Sequence, residues 1–168
     1  MRKTTIIIIC FVTFLLGNNI GFSQNNSGCN AELTVEKNRS VKSAGENGAF
    51  FTLILKNTSS ASKTYSLSVE KTKQACKKSS NSLSKGVNNN PDLDVSIQLP
   101  NNLTSKSSDA AITINGGESQ KFYVKVEVPS GTPYYTWSCF MVTAKSENCS
   151  TSGAEAILSV YIPNPSEE

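Results

Sequence analysis

Between Gln120 and Val128 the chain alternates apolar and polar residues without a break: Phe122, Val124, Val126 and Val128 against Lys121, Tyr123, Lys125 and Glu127. A period of two sends successive side chains to opposite faces, so this stretch reads as a strand with one buried face. The rhythm recurs. Leu93, Val95, Ile97 and Leu99 alternate with Asp94, Ser96 and Gln98, and shorter versions appear at Leu33 and Val35 and at Tyr65, Leu67 and Val69. Phe51, Leu53 and Leu55 form another that stops at Asn57, and Ala156, Leu158, Val160 and Ile162 make the last. No helical period of useful length interrupts them.

Seven or eight short strands separated by Gly, Asn, Pro and Ser predict an all-β fold, an antiparallel β-sandwich of the immunoglobulin or fibronectin kind. An up-and-down barrel is the alternative. Asn115-Gly116-Gly117 supplies the left-handed backbone of a tight hairpin, expected between Ile114 and Gln120. Pro163 and Pro165 follow the last strand and stop further pairing.

The N-terminus sets the expected compartment. Arg2 and Lys3 precede an apolar run from Ile6 to Leu16, and the chain turns polar at Gly17. That pattern is a secretory signal peptide, too short for the about 20 apolar residues of a membrane span. Gly21 and Ser23 are small and correctly spaced, so cleavage is expected after Ser23. This leaves 1–23 as leader and 24–168 as one domain of about 145 residues, enough for one core. Cys10 lies inside the apolar run without the small residue that lipid attachment needs before it, and it departs with the leader.

Charge has to be counted without Arg2 and Lys3. The chain has 16 basic and 13 acidic side chains, and the expected mature part has 14 against 13, a net charge of +1. A domain so close to neutral has no global field with which to recruit nucleic acid.

Four cysteines remain: Cys29, Cys76, Cys139 and Cys149. In an exported chain an even count reads as two disulfides, with three pairings open. Zinc is excluded by the absence of both C-x-x-C and histidine, so no metal or other cofactor is expected. Asp92 and Asp94 behind Asn88, Asn89 and Asn90 offer oxygens, but Leu93 between them makes a strand face the simpler reading.

Residues 71–91 break the pattern. They are rich in Lys, Ser and Asn and too long for an ordinary connection. Lys71, Lys73, Lys77, Lys78 and Lys85 form a local basic patch there, without the interleaved aromatics that would strengthen a polyanion reading. Lys73, Lys77 and Lys78 are candidate binding residues.

Phe51 to Thr58, an apolar strand ending in Asn-Thr, resembles a segment of bacterial immunoglobulin-like accessory domains. Ile114 to Pro129, reading Gly-Glu-Ser, alternating strand and Val-Pro, resembles another, and Gly131, Tyr135 and Ala144 follow in order. The family is the NPCBM-associated domain of α-galactosidases, and the similarity covers 49–162. It implies an accessory or spacer module without catalytic residues. The four cysteines, the 71–91 insertion and the lack of a partner domain depart from that pattern.

The resemblance also implies that Ala144, and with it Phe140 and Val142, faces inward. Trp137, Cys139 and Met141, with Tyr135 on the same side of the strand, then form an apolar stripe on the outer face, which something must cover or bind. One arrangement follows: 71–91 folds over the stripe, tied by a Cys76–Cys139 bridge, and Cys29 pairs with Cys149 at one end of the sandwich. A Cys139–Cys149 bridge is the competing pairing. Tyr135 and Trp137 are the aromatic binding candidates.

Without histidine there is no histidine-based nucleophilic catalysis, and the acids are scattered over polar strand faces. The expected function is that of an exported, non-catalytic module at the cell surface, in the periplasm or outside the cell. Its partner would be a surface protein or polysaccharide, in a glycan-associated or adhesive role. The alternative is a small secreted inhibitor or effector acting through 71–91.

Overall fold

The computed structural model describes residues 26–45, 47–72, 76, 89–104, 106–151 and 153–167. The expected leader, 1–23, and most of the insertion, with Lys73, Lys77, Lys78 and Lys85, lie outside the described residues.

Ten strands form among the described residues: β1 (Asn26–Gly28), β2 (Ala31–Val35), β3 (Val41–Ser43), β4 (Ala49–Asn57), β5 (Lys63–Lys71), β6 (Asp94–Gln98), β7 (Asp109–Ile114), β8 (Ser119–Glu127), β9 (Thr136–Ser146) and β10 (Ala154–Ile162). Eight have five residues or more; β1 and β3, three residues each, are too short to leave a periodic signature. Two five-stranded sheets result, ordered β1-β2-β4-β8-β6 and β3-β10-β9-β5-β7. Every pairing is antiparallel except that of β3 with β10. The fold is an immunoglobulin-like β-sandwich.

The alternation builds the core directly. Phe51, Leu53 and Leu55 on β4 and Phe122, Val124 and Val126 on β8 are all fully buried. They face Tyr65 and Leu67 on β5, Val142 on β9 and Leu158 and Val160 on β10 across the sandwich. Each such side chain contributes roughly 1.5–3 kcal/mol by leaving water.

Asn115-Gly116-Gly117 does not make the expected hairpin. β7 pairs with β5 and β8 with β4 and β6, so the turn carries the chain from one sheet to the other. Its glycines serve the crossing. Gly117 has φ +75°, and a Cβ on Gly116 would lie 2.2 Å from the Ser60 carbonyl oxygen. Buried Asn57 anchors the crossing: its Nδ2 donates to the carbonyls of Ala61 (2.8 Å) and Ile114 (3.0 Å), and its Oδ1 accepts from the N–H and hydroxyl of Ser59. Leu93 and Leu99 fall just outside β6 and pack against the core edge. Cys29 sits in the β1–β2 turn with φ 57°.

Candidate functional site

β9 is central in its sheet, between β10 and β5. Phe140, Val142 and Ala144 point into the main core, and Trp137 and Cys139 point the other way. Opposite Trp137 the register places Tyr161, with the ring centroids 5.1 Å apart and the planes inclined at 41°. Cys76 bonds to Cys139 with a Cα–Cα distance of 5.5 Å, within the usual disulfide range. Cys76, Trp137 and Cys139, with Val41 and Tyr161 against them, make a second, smaller core on the outside of the sandwich.

The insertion is fastened at both ends beside this cluster. β5 gives out at Lys71, opposite Phe140. The Thr72 N–H then donates to the Cys139 carbonyl (3.0 Å), and the Asn90 N–H donates to the Trp137 carbonyl (2.9 Å). Asn90 Oδ1 accepts from the Cys139 N–H (3.1 Å), and Asn90 Nδ2 donates to the Thr72 carbonyl (2.9 Å). The Ser138 hydroxyl lies within reach of both Asn90 Oδ1 (3.1 Å) and the Pro91 carbonyl (3.0 Å). Asn90 thus substitutes for the missing length of β5, and its φ of 46° is one that asparagine tolerates. Beside this junction, Lys71 forms an ion pair with Asp92 at 2.6 Å.

Trp137 is only 1% exposed. A ligand cannot reach its ring while Cys76 and Tyr161 are in place, so it acts as packing in this state and not as an open stacking platform. Its indole N–H has no hydrogen-bond partner among the described residues. Tyr135 does not continue the Trp137 row. Its φ of 58° breaks the alternation, its N–H donates to the Ile162 carbonyl (2.7 Å), and its hydroxyl accepts from Asn164 Nδ2 (3.2 Å).

Tyr134 and Tyr135 are 51% and 39% exposed at one end of the sandwich. Tyr134 rims a cavity of about 300 Å³ lined by Val128, Pro129, Ile162, Pro163 and Pro165 together with Ala44 and the 130–132 turn. No charged side chain is among its lining residues. The prolines restrict the backbone, so the walls are stiff before any ligand arrives.

At the opposite end Cys29 bonds to Cys149, Cα–Cα 5.4 Å. This bridge floors a polar recess of about 610 Å³ among Ser, Thr and Asn side chains, with Lys63 and Glu147. The Tyr65 hydroxyl donates to the Asn30 carbonyl at 2.9 Å, and burial pushes its pKa above the ordinary value. Two disulfides are characteristic of chains that mature in an oxidising compartment. Among the described residues, no helix is long and apolar enough to cross a membrane.

The structure therefore separates the two aromatic candidates and ties Cys76 to Cys139. Tyr134 was not among the binding candidates read from the sequence, and Asn90 figured there only as a possible oxygen donor beside Asp92 and Asp94. The Asn-Pro step at 90–91 carries a turn signal, whereas nothing marks Tyr134 apart from its neighbour.

No family model and no curated protein matches the chain. Solved structures similar to it include the apo form of the Calx CBD1 domain, at 11% identity and TM-score 0.42, covering 79% of this chain and 96% of that one. The periplasmic chaperone SfaE is similar at 11% identity and TM-score 0.44, over 79% of this chain and 58% of the chaperone. The E. coli chaperone DraB is similar at 10% identity and TM-score 0.43, over 81% and 56%. Likenesses at these scores say nothing about what the chain binds.

Proposed function

We propose that this protein is an exported, non-catalytic β-sandwich that binds a neutral glycan at the cell surface or outside the cell, through the Tyr134–Tyr135 end. The observation that carries this reading is the contrast between the aromatics: Trp137 is sealed beneath a disulfide, while Tyr134 and Tyr135 stand open beside an uncharged, proline-walled cavity. Tyrosine presents an apolar ring and a polar tip at low entropic cost, which suits C–H faces and hydroxyls together.

The basic start and apolar run of residues 1–23 support export, as do the two disulfides. The absence of histidine from the sequence supports a non-catalytic role. The resemblance to the NPCBM-associated family supports an accessory module.

The test is a glycan array probed with the oxidised mature protein and with the Tyr134→Ala/Tyr135→Ala variant. The wild type should retain neutral glycans and the variant should lose them. Retention of protein ligands alone, or equal glycan binding by the variant, overturns the reading.

A further inference from the structure

Each sheet ends in two edge strands, and three of these four edges are blunted among the described residues. β1 and β3 are only three residues long. On β6 the Ile97 N–H is taken by the Ser107 carbonyl (2.8 Å), so the connection to β7 covers that edge. Short strands and covering loops are the usual means of keeping an edge from pairing with another chain. β7 has neither. It ends its sheet, bonded to β5 alone, and its six residues include no lysine, proline or glycine. Asp109 is its one charge, and Asp109, Ala111 and Thr113 are exposed.

The ladder fixes which backbone groups of β7 face outward. The Val69 N–H donates to the Ser108 carbonyl (3.0 Å), and the β5–β7 register continues through this pair. Antiparallel partners alternate between hydrogen-bonded and non-hydrogen-bonded pairs. Ala110, Ile112 and Ile114 therefore bond to β5, whereas Asp109, Ala111 and Thr113 turn their N–H and C=O groups away from it. The Thr64 and Thr113 hydroxyls, 2.8 Å apart, agree with this phase, because side chains approach most closely in non-hydrogen-bonded pairs. The Asp109 N–H is met by the Ser107 hydroxyl (3.1 Å). Two donors, the N–H groups of Ala111 and Thr113, remain open at the edge beside the carbonyls of Asp109, Ala111 and Thr113.

We infer that this edge pairs with the same edge of a second copy, about a two-fold axis at Ala111. Antiparallel pairing centred there sets 111 against 111 and 109 against 113. Each Ala111 N–H then meets the other copy's Ala111 carbonyl, and each Thr113 N–H meets the other copy's Asp109 carbonyl, so both open donors find acceptors. The side chains match as well. On the core side, Ala110 is only partly buried and stands opposite Ile112 of the second copy. On the outer side, Asp109 stands opposite Thr113 of the second copy, whose hydroxyl can donate to the carboxylate while accepting from Thr64. The two Asp109 residues lie four positions apart along the joined ladder, roughly 14 Å, beyond the screening length at physiological salt. A foreign strand would satisfy the donors equally; the side-chain matches within one sequence favour the second copy. The contact closes on itself, because it uses the same edge of both copies and leaves only the short β3 edges at the ends of the joined sheet. The inference goes beyond the glycan reading and does not rest on it.

The test is sedimentation velocity of oxidised protein spanning residues 24–168, from about 1 μM to about 1 mM. The wild type should pass from monomer to dimer within that series. Ala111→Pro deletes an outward N–H, breaks no bond to β5, and should stay monomeric with unchanged near-ultraviolet circular dichroism from Trp137. Ala111→Lys and Ala111→Glu each set like charges against each other across the axis, at an exposed position that leaves the fold intact. Each alone should stay monomeric, and the two mixed should form a heterodimer. A wild type that is monomeric throughout overturns the inference and leaves the edge to a strand of another protein. A dimer that persists in folded Ala111→Pro belongs to a different surface and overturns it too, as does a mixture of the lysine and glutamate variants that stays monomeric.

Discussion

Asn90→Ala removes the side chain that closes the insertion against β9. One buried group loses its partner: the Cys139 N–H, on a residue 1% exposed. That orphaned N–H costs about 1–2 kcal/mol. The Ser138 hydroxyl keeps the Pro91 carbonyl and adds little. Alanine in the left-handed region, where Asn90 has φ 46°, adds about 1 kcal/mol. With the backbone cost the sum is about 2–3 kcal/mol, a sizeable part of the roughly 5–15 kcal/mol that holds a domain together. Urea unfolding followed by fluorescence is the assay, since Trp137 is the only tryptophan and Asn90 bonds to its carbonyl. Asn90→Gly separates the terms: it loses the same hydrogen bonds but recovers the backbone penalty, so it should be more stable than Asn90→Ala by about 1 kcal/mol. A loss below about 1 kcal/mol for Asn90→Ala would refute the clasp.

Three other perturbations have defined outcomes. Asn57→Asp turns a carboxylate toward the carbonyls of Ala61 and Ile114, and should destabilise by at least about 3 kcal/mol in calorimetry, with partial recovery in acid as the carboxyl protonates. Cys76→Ser/Cys139→Ser opens a bridge of sequence separation 63, and should cost about 3–4 kcal/mol and red-shift the Trp137 emission; an unchanged spectrum would show that the bridge does not seal that ring. Glu36 has a lowered pKa, so its contribution to stability is present above the ordinary carboxylate value of 4.5 and is lost as pH falls through the lowered one. NMR titration should find it below 4.5 in the wild type and higher in Lys121→Met, with little change in global stability because the pair is exposed.

The strands were legible wherever one face is buried. Phe51-Leu53-Leu55, Phe122-Val124-Val126 and Leu158-Val160-Ile162 carry their own register, because slipping by one residue would turn each row into water. The sheet to which a strand belongs was not legible. The glycines of 115–117 announce a sharp turn, and whether it closes a hairpin or crosses between sheets depends on Asn57, nearly sixty residues away in sequence. Trp137 and Tyr135 stand two apart and were placed on one face. The left-handed backbone at Tyr135, imposed by pairing with Ile162, turns that residue out of the row. Phe50 was hidden by its neighbour: in Phe50-Phe51 alternation assigns one ring to the core and one to water, and the register sets the outer ring beside Lys125, whose ammonium stands 5.7 Å from its centroid.

Hydrogen–deuterium exchange of oxidised protein spanning residues 24–168, with and without the neutral glycan retained best on the array, tests the binding reading most directly. Protection should increase over residues 128–135 and 162–165, the walls of the tyrosine–proline cavity, and should vanish in Tyr134→Ala/Tyr135→Ala. Protection confined to other segments, or none with any retained glycan, would contradict the account.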